Sequence, residues 1–292
     1  MNPHKITPVD WRPSTSEEIK IYYKDAFPRT WKTLPEYLAK TLSEEYAFAF
    51  LRPVKTMDIG GIVKEKDFLR RENRGYGHDL NTLQKLLLNF RQFDPLGAVI
   101  ENSQVESFYF SLRMKDRWLI AFDIDAKDIA LSGLCEHHPG LRPDADDSEI
   151  INWRRMIGNI PPVHPKHIKD PEKGYLYCYN CIQVAVNKAF EAKKILMEWG
   201  FAPEDIHIYY SGQGAHIHVT DSETWSYPKD ARIFIAKMLT KAEIPIDTPI
   251  TIDSRRVLRF TGSLHAGVNR RVQELKHPSD LEDIIAKPNW SQ

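Results

Sequence analysis

The chain has 292 residues, 42% of them hydrophobic and 27% charged, with 40 basic and 40 acidic side chains in exact balance. That is enough for one large domain or two closely packed modules, with the composition of an ordinary soluble globular protein. Zero net charge argues against a general nucleic-acid coating protein, and three cysteines exclude a disulfide-built scaffold.

The N-terminal MNPHKITPVDWRPSTSEE lacks the apolar stretch of a signal peptide. No later run approaches the roughly 18–20 apolar residues of a membrane-crossing helix. An intracellular protein without a membrane partner is expected, in cytoplasm or nucleoid, or in the nucleus of a eukaryote.

In chain order, apolar spacing predicts helices over 16–24 and 34–43, a buried strand at Tyr46–Phe50 and a helix over 80–91. RWLIAFDID, Arg117–Asp125, predicts a strand that ends in carboxylates. From Ala126 to Tyr177 the chain is rich in proline, histidine and acids, and reads as a long loop, functional, metal-tied or partly mobile, with one short helix near 148–157. A helix over 182–199 follows, with Ile182, Val186, Ala189, Leu196 and Trp199 on one face and Gly200 as its stop. Then come a strand at Ile206–Tyr210, a tight SGQGA turn and a strand at His216–Val219. A helix over 229–241 and short strands near 249–252 and 256–260 complete a mixed α/β pattern.

Three clusters carry chemistry. In FDID, strand alternation points Asp123 and Asp125 to one face and Phe122 and Ile124 to the other. Carboxylates about 7 Å apart along a strand suit a hard cation such as Mg2+ or Mn2+, although solvated acids at a strand end read the same way. In SGQGAHIHV, Gly212 and Gly214 let backbone N–H groups approach a phosphate, and His216 and His218 share a face, to donate to phosphate or to ligate a metal. In DTPITIDSRRVLRFTGSLHAGVN, Asp247 and Asp253 precede Arg259, Ser263 and His265, a combination suited to metal and triphosphate together. Between Ser254 and Lys276, six basic residues (Arg255, Arg256, Arg259, Arg270, Arg271, Lys276) face one acid, Glu274. With Arg70, Arg71 and Arg74 they form a candidate grip on template phosphate.

Taken in this order, from about Tyr22 to Asn269, the clusters resemble the small catalytic subunit of archaeal and eukaryotic DNA primases. The resemblance implies a primase catalytic-core fold over residues 1–292, of mixed α+β class, with sheets flanked by helices and the active site in a central cleft. It implies a two-metal nucleotidyltransferase acting on a single-stranded DNA template with NTP or dNTP, with a primase large subunit or a C-terminal domain in a longer chain as partner. Asp123, Asp125 and a third aspartate would hold Mg2+ or Mn2+; the family's spacing, twelve positions ahead of Arg259, selects Asp247 over Asp253. Ser211, Gly212, His216, Arg259 and His265 would contact the triphosphate, and Arg70 would face the nucleotide. A structural Zn2+ is implied in an insertion over 132–182, held by Cys135, His137, Cys178 and Cys181, with His138, His164 or His167 as alternatives to His137. A primer-extending or end-joining polymerase shares these motifs; a non-catalytic nucleotide or single-strand binder is the more distant reading.

Overall fold

The computed structural model describes residues 11, 14–27, 29, 35–38, 45–57, 63–70, 74–76, 104–114, 117–136, 179–253, 256–288 and 290. The elements are α1 (Ser16–Ile21, continued by a π turn at Tyr22–Ala26), β1 (Glu45–Met57), β2 (Val63–Arg70), β3 (Arg74–Tyr76), β4 (Gln104–Ser111), β5 (Arg113–Met114), β6 (Arg117–Trp118) and β7 (Ile120–Asp125). They continue with α2 (Ala126–Leu131), α3 (Tyr179–Glu198), β8 (Ile206–Tyr210), β9 (Gly214–Val219) and α4 (Lys229–Lys241). Last come α5 (Thr248–Ile252), β10 (Val257–Arg259), β11 (Leu264–His265), β12 (Arg270–Arg271), β13 (Gln273–Leu275) and α6 (Asp280–Ala286). The fold is mixed α/β with antiparallel sheets.

The sheet that matters most has the order β13-β8-β9-β7, antiparallel throughout. Its register separates two faces. Phe122, Ile217, Ile208 and Leu275 form one row across four strands, flanked by Ile120–Val219–Ile206 and Ile124–Ala215–Tyr210. This apolar face joins Ile182, Ala185, Val186, Ala189, Ala192 and Leu196 of α3 in one buried core. Those helix positions recur at the spacing of one helical face, and the three alanines allow close approach to the sheet. Each buried Ile, Val or Leu contributes about 1.5–3 kcal/mol. The helix stops at Gly200, φ 97°, where the Phe201 N–H returns to the Leu196 carbonyl at 3.1 Å. Trp199, expected on the apolar face, lies beyond the last helical residue and is 39% exposed.

The other face is polar. Asp123, His216, Tyr209 and Glu274 form a row across the same four strands, and Ala121, His218 and His207 form the next. Period-two alternation therefore places the chemistry on one side and the core on the other.

A second sheet has the order β10-β4-β1-β2, with β3 also on β1. Asp247 and α5 cover the edge of β7: the Asp247 N–H donates to the Asp123 carbonyl at 2.8 Å, and Thr251 Oγ1 donates to the Ala121 carbonyl at 2.9 Å. An edge strand's unpaired carbonyls are satisfied in this way.

Three expectations are corrected. Residues 249–252 form a helix, because Pro249 in the first turn is preset for helical φ and outweighs the β-branched run. The segment after Asp125 turns directly into α2, so the expected long loop does not begin at Ala126. Arg270, counted in the candidate grip on template phosphate, is fully buried, donating to the carbonyls of Ile284 and Ile285 at 2.8 and 2.7 Å and so capping the end of α6. The expected helices at 80–91 and near 148–157, and residues 137–178 of the expected insertion, lie outside the described residues. Among the described residues no helix is long and apolar enough to cross a membrane.

Candidate functional site

β7 delivers two of the three aspartates. Asp123 pairs with His216 and Asp125 with Gly214 on β9. The third arrives through the edge contact that seats Asp247 against the Asp123 backbone. Asp125 and Asp247 stand at the N-cap positions of α2 and α5, where an aspartate ordinarily accepts a backbone N–H of its own helix. Neither does so. Asp253 sits at the other end of α5, with Arg256 3.5 Å away.

Asp123 is where the electrostatics concentrate. Burial, then the charges of Asp125, Asp247 and Asp128, hold its carboxyl well above the usual carboxylate range, with Lys127 opposing. Its Oδ1 is buried and accepts no hydrogen bond. His216 Nε2 lies 3.5 Å away, too far and too poorly aligned to satisfy it. His216 is itself neutral: burial, with the Arg259 charge adding to it, pushes its pKa down to about 3. Asp128, one turn into α2, accepts from the Asp125 backbone N–H, and burial raises its carboxyl to about 6.

Among the described residues, no three His, Cys, Asp or Glu side chains are drawn together as a ready-made metal cage. The donor set nonetheless suits a hard divalent cation: oxygen ligands only, an orphaned buried carboxylate oxygen, and mutual repulsion that a cation would relieve.

The glycine turn lies directly against these acids. The Gln213 carbonyl accepts from the Ala126 N–H at 2.8 Å, tying the turn to the head of α2. A Cβ on Gly214 would lie 2.1 Å from the Ile124 carbonyl oxygen, so only glycine permits this approach of β9 to β7. Gly212 has φ 110°, and a Cβ there would meet His265 Cδ2 at 2.1 Å. The Ser211 N–H closes the hairpin on the Gly214 carbonyl, while the N–H groups of Gly212 and Gln213 make no backbone hydrogen bond among the described residues. Two successive N–H groups of this kind suit an anion.

Arg259 reaches from β10 in the second sheet to the Ser211 carbonyl, 2.9 Å from its guanidinium. His265 Nδ1 accepts the Gly267 N–H at 3.1 Å, which leaves the proton of the neutral ring on Nε2 as a donor. The loop bearing His265 is held from the N-terminus: Ser14 N–H donates to the Ala266 carbonyl at 2.6 Å, Ser14 Oγ to Asn269 at 2.9 Å, and Tyr22 to the Gly262 carbonyl. The structure therefore brings Asp123, Asp125, Asp247, Ser211, Gly212, His216, Arg259 and His265 into one neighbourhood.

Arg70 is not in it. Its backbone ends β2 and pairs with Phe50, on the edge of the second sheet opposite β10. His218, a candidate phosphate or metal partner, turns instead to a buried network in which Tyr37 hydroxyl meets His218 Nδ1 and Tyr209 hydroxyl, each at 2.8 Å. Burial keeps it neutral. Cys135 and Cys181 are buried in the core without a disulfide, and Asn180 Nδ2 donates to Glu136 at 2.6 Å, so the two cysteine segments are neighbours. Cys178, His137, His138, His164 and His167 lie outside the described residues.

Lys127, Asp128 and Tyr37 were not singled out from sequence. The D-x-x-D of Asp125 and Asp128 is a helix-start signal that could have found the first two; the contact of Tyr37 with β8 and β9 spans too much sequence to be read locally.

Among known proteins, no family model matches the chain. A DNA primase small subunit, PriS, of Thermococcus kodakarensis is 24% identical over 235 residues, covering 80% of this chain and 51% of that protein. The chain thus spans about half the length of the curated relative it matches, a distant, primase-like relationship.

Proposed function

We propose that the chain is a DNA-template-dependent nucleotidyltransferase that synthesises primers as the catalytic core of a DNA primase. The observation that carries this reading is the state of the aspartates. Asp125 and Asp247 head two helices without capping them, and buried Asp123 beside them keeps an oxygen without a hydrogen bond. An acidic cluster so unsatisfied, set against a glycine turn with two unengaged N–H groups, suits a triphosphate accompanied by cations. The distant likeness to a primase small subunit agrees with it.

In this reading Asp123, Asp125 and Asp247 would hold two Mg2+ or Mn2+ ions, and the chemistry such ions would supply is acidification of a 3′-hydroxyl and charge stabilisation of the pyrophosphate leaving group. Ser211 and Gly212 present the turn to the triphosphate. Arg259 supplies positive charge from the second sheet, and neutral His216 and His265 donate hydrogen bonds without adding net charge. Most of the catalysis is then positioning and electrostatic stabilisation. The template is single-stranded DNA, the substrates NTP or dNTP, and the partner a primase large subunit or a further domain. Cys135, Cys178, Cys181 and His137 would hold a structural Zn2+ away from the chemistry.

Incubation with single-stranded template, with and without primer, and with either NTPs or dNTPs, tests this. Products without primer support the proposal. Products only with primer identify a primer-extending polymerase, and cleavage without incorporation overturns nucleotidyl transfer altogether.

A further inference from the structure

The acidic cluster carries a cation of its own. Lys127, the second residue of α2, donates from Nζ to Asp125 Oδ2 at 2.7 Å. The charges of Asp128 and Asp123 act on it as well as that of Asp125. Its side chain is 57% exposed, so solvent is available to it, yet the ammonium turns back onto the carboxylate two residues earlier. A pair between residues two apart is not one of the pairings that a helix surface offers by itself. An isolated exposed ion pair would be worth about 0–1 kcal/mol and call for no explanation. What sets this one apart is its acceptor, the uncapping Asp125, in a group of carboxylates that repel one another.

We propose that Lys127 is a built-in counter-ion of this cluster, competing with divalent cations for Asp125 and so setting the concentration at which the site fills. The inference rests on the carboxylate site of the preceding reading and concerns its regulation. The ammonium offsets repulsion among Asp123, Asp125 and Asp128 when no divalent ion is bound. It must leave Asp125 Oδ2 when that oxygen takes a metal, and its exposure lets it swing into water. Lys127 is thus a positioning and tuning residue: it touches a ligand, not the reacting atoms.

The test is Mn2+ binding to the full chain, by calorimetry and by the loss of the free-ion paramagnetic signal, for wild type, Lys127→Met, Lys127→Gln and Lys127→Arg. Removing one nearby positive charge should tighten Mn2+ on the order of tenfold in the Met and Gln variants, with a gap that narrows as salt is added. The arginine variant, keeping the charge, should stay within about twofold of wild type by the same reasoning. Equal or weaker Mn2+ binding by folded Lys127→Met and Lys127→Gln, with wild-type binding intact, overturns the counter-ion role alone. No Mn2+ binding by wild type overturns the carboxylate site itself, and the inference with it.

Discussion

Replacing Gly212 with alanine separates the site's geometry from its scaffold. At φ 110° the new side chain is strained, and its Cβ would lie 2.1 Å from Cδ2, 2.5 Å from Cγ and 2.7 Å from Cβ of His265. Ordinary carbon–carbon contact begins at about 3.5 Å, so the ring must withdraw by roughly 1.4 Å. A misplacement of about 1 Å in a positioning group costs on the order of 100-fold in rate, close to 2.7 kcal/mol of barrier. Gly200→Ala is the matched control: φ is 97°, and nothing lies within 4 Å of the added Cβ. Both variants bear the backbone strain, about 1–3 kcal/mol, but only one displaces His265. Template-primed incorporation and urea denaturation are measured on both. Gly200→Ala should lose stability and keep its turnover; Gly212→Ala should lose more stability and about 100-fold in kcat/KM. Adding His265→Gly, which removes all three clashing atoms where alanine would leave the Cβ at 2.7 Å, should recover most of the stability lost to the contact, without restoring turnover. Turnover of Gly212→Ala within a few-fold of wild type would refute the contact's role.

Asp123→Asn should stabilise the metal-free protein while abolishing incorporation. Because the Asp123 carboxyl is raised, its contribution is fullest below the ordinary carboxylate range and is lost as pH rises through the folded pKa, so the variant's advantage in melting temperature with chelator present should grow as pH rises above about 4. A constant difference contradicts that. His216, held at about 3 in the fold against about 6.5 unfolded, works in the opposite sense. Stability is full above pH 6.5 and falls by about 1.4 kcal/mol per pH unit below it, so His216→Gln should flatten the urea-derived pH dependence between pH 6.5 and 4.5 by about 2–3 kcal/mol. Arg270→Ala should cost roughly 3 kcal/mol or more, through orphaned carbonyls at the end of α6, and leave the salt dependence of DNA binding unchanged. A reduced salt slope in that variant would return Arg270 to the DNA-facing surface.

The parts of the site that alternate with core residues were legible in the sequence. Asp123 and Asp125 are readable because Phe122 and Ile124 must face α3, and His216 because Ile217 must. The glycines of SGQGA read as room for a phosphate; the structure shows them also making room for the Ile124 carbonyl and the His265 ring. What local pattern could not supply is contact between distant segments. Thr-Pro-Ile-Thr-Ile has a strand's composition, yet five residues docked on an edge strand form a helix. Arg270 reads as surface charge until α6 presents its terminal carbonyls. Nothing near Tyr37 announces a partnership with His218 and Tyr209.

The central claim is nucleotide transfer at Asp123, Asp125 and Asp247. Its most direct test is single-turnover incorporation of a labelled nucleotide on single-stranded DNA, with Mg2+ or Mn2+, by wild type and by Asp123→Ala shown to be folded by circular dichroism. The account predicts labelled product from wild type and none from the variant. Equal product from both, or none from folded wild type with either ion, would contradict it.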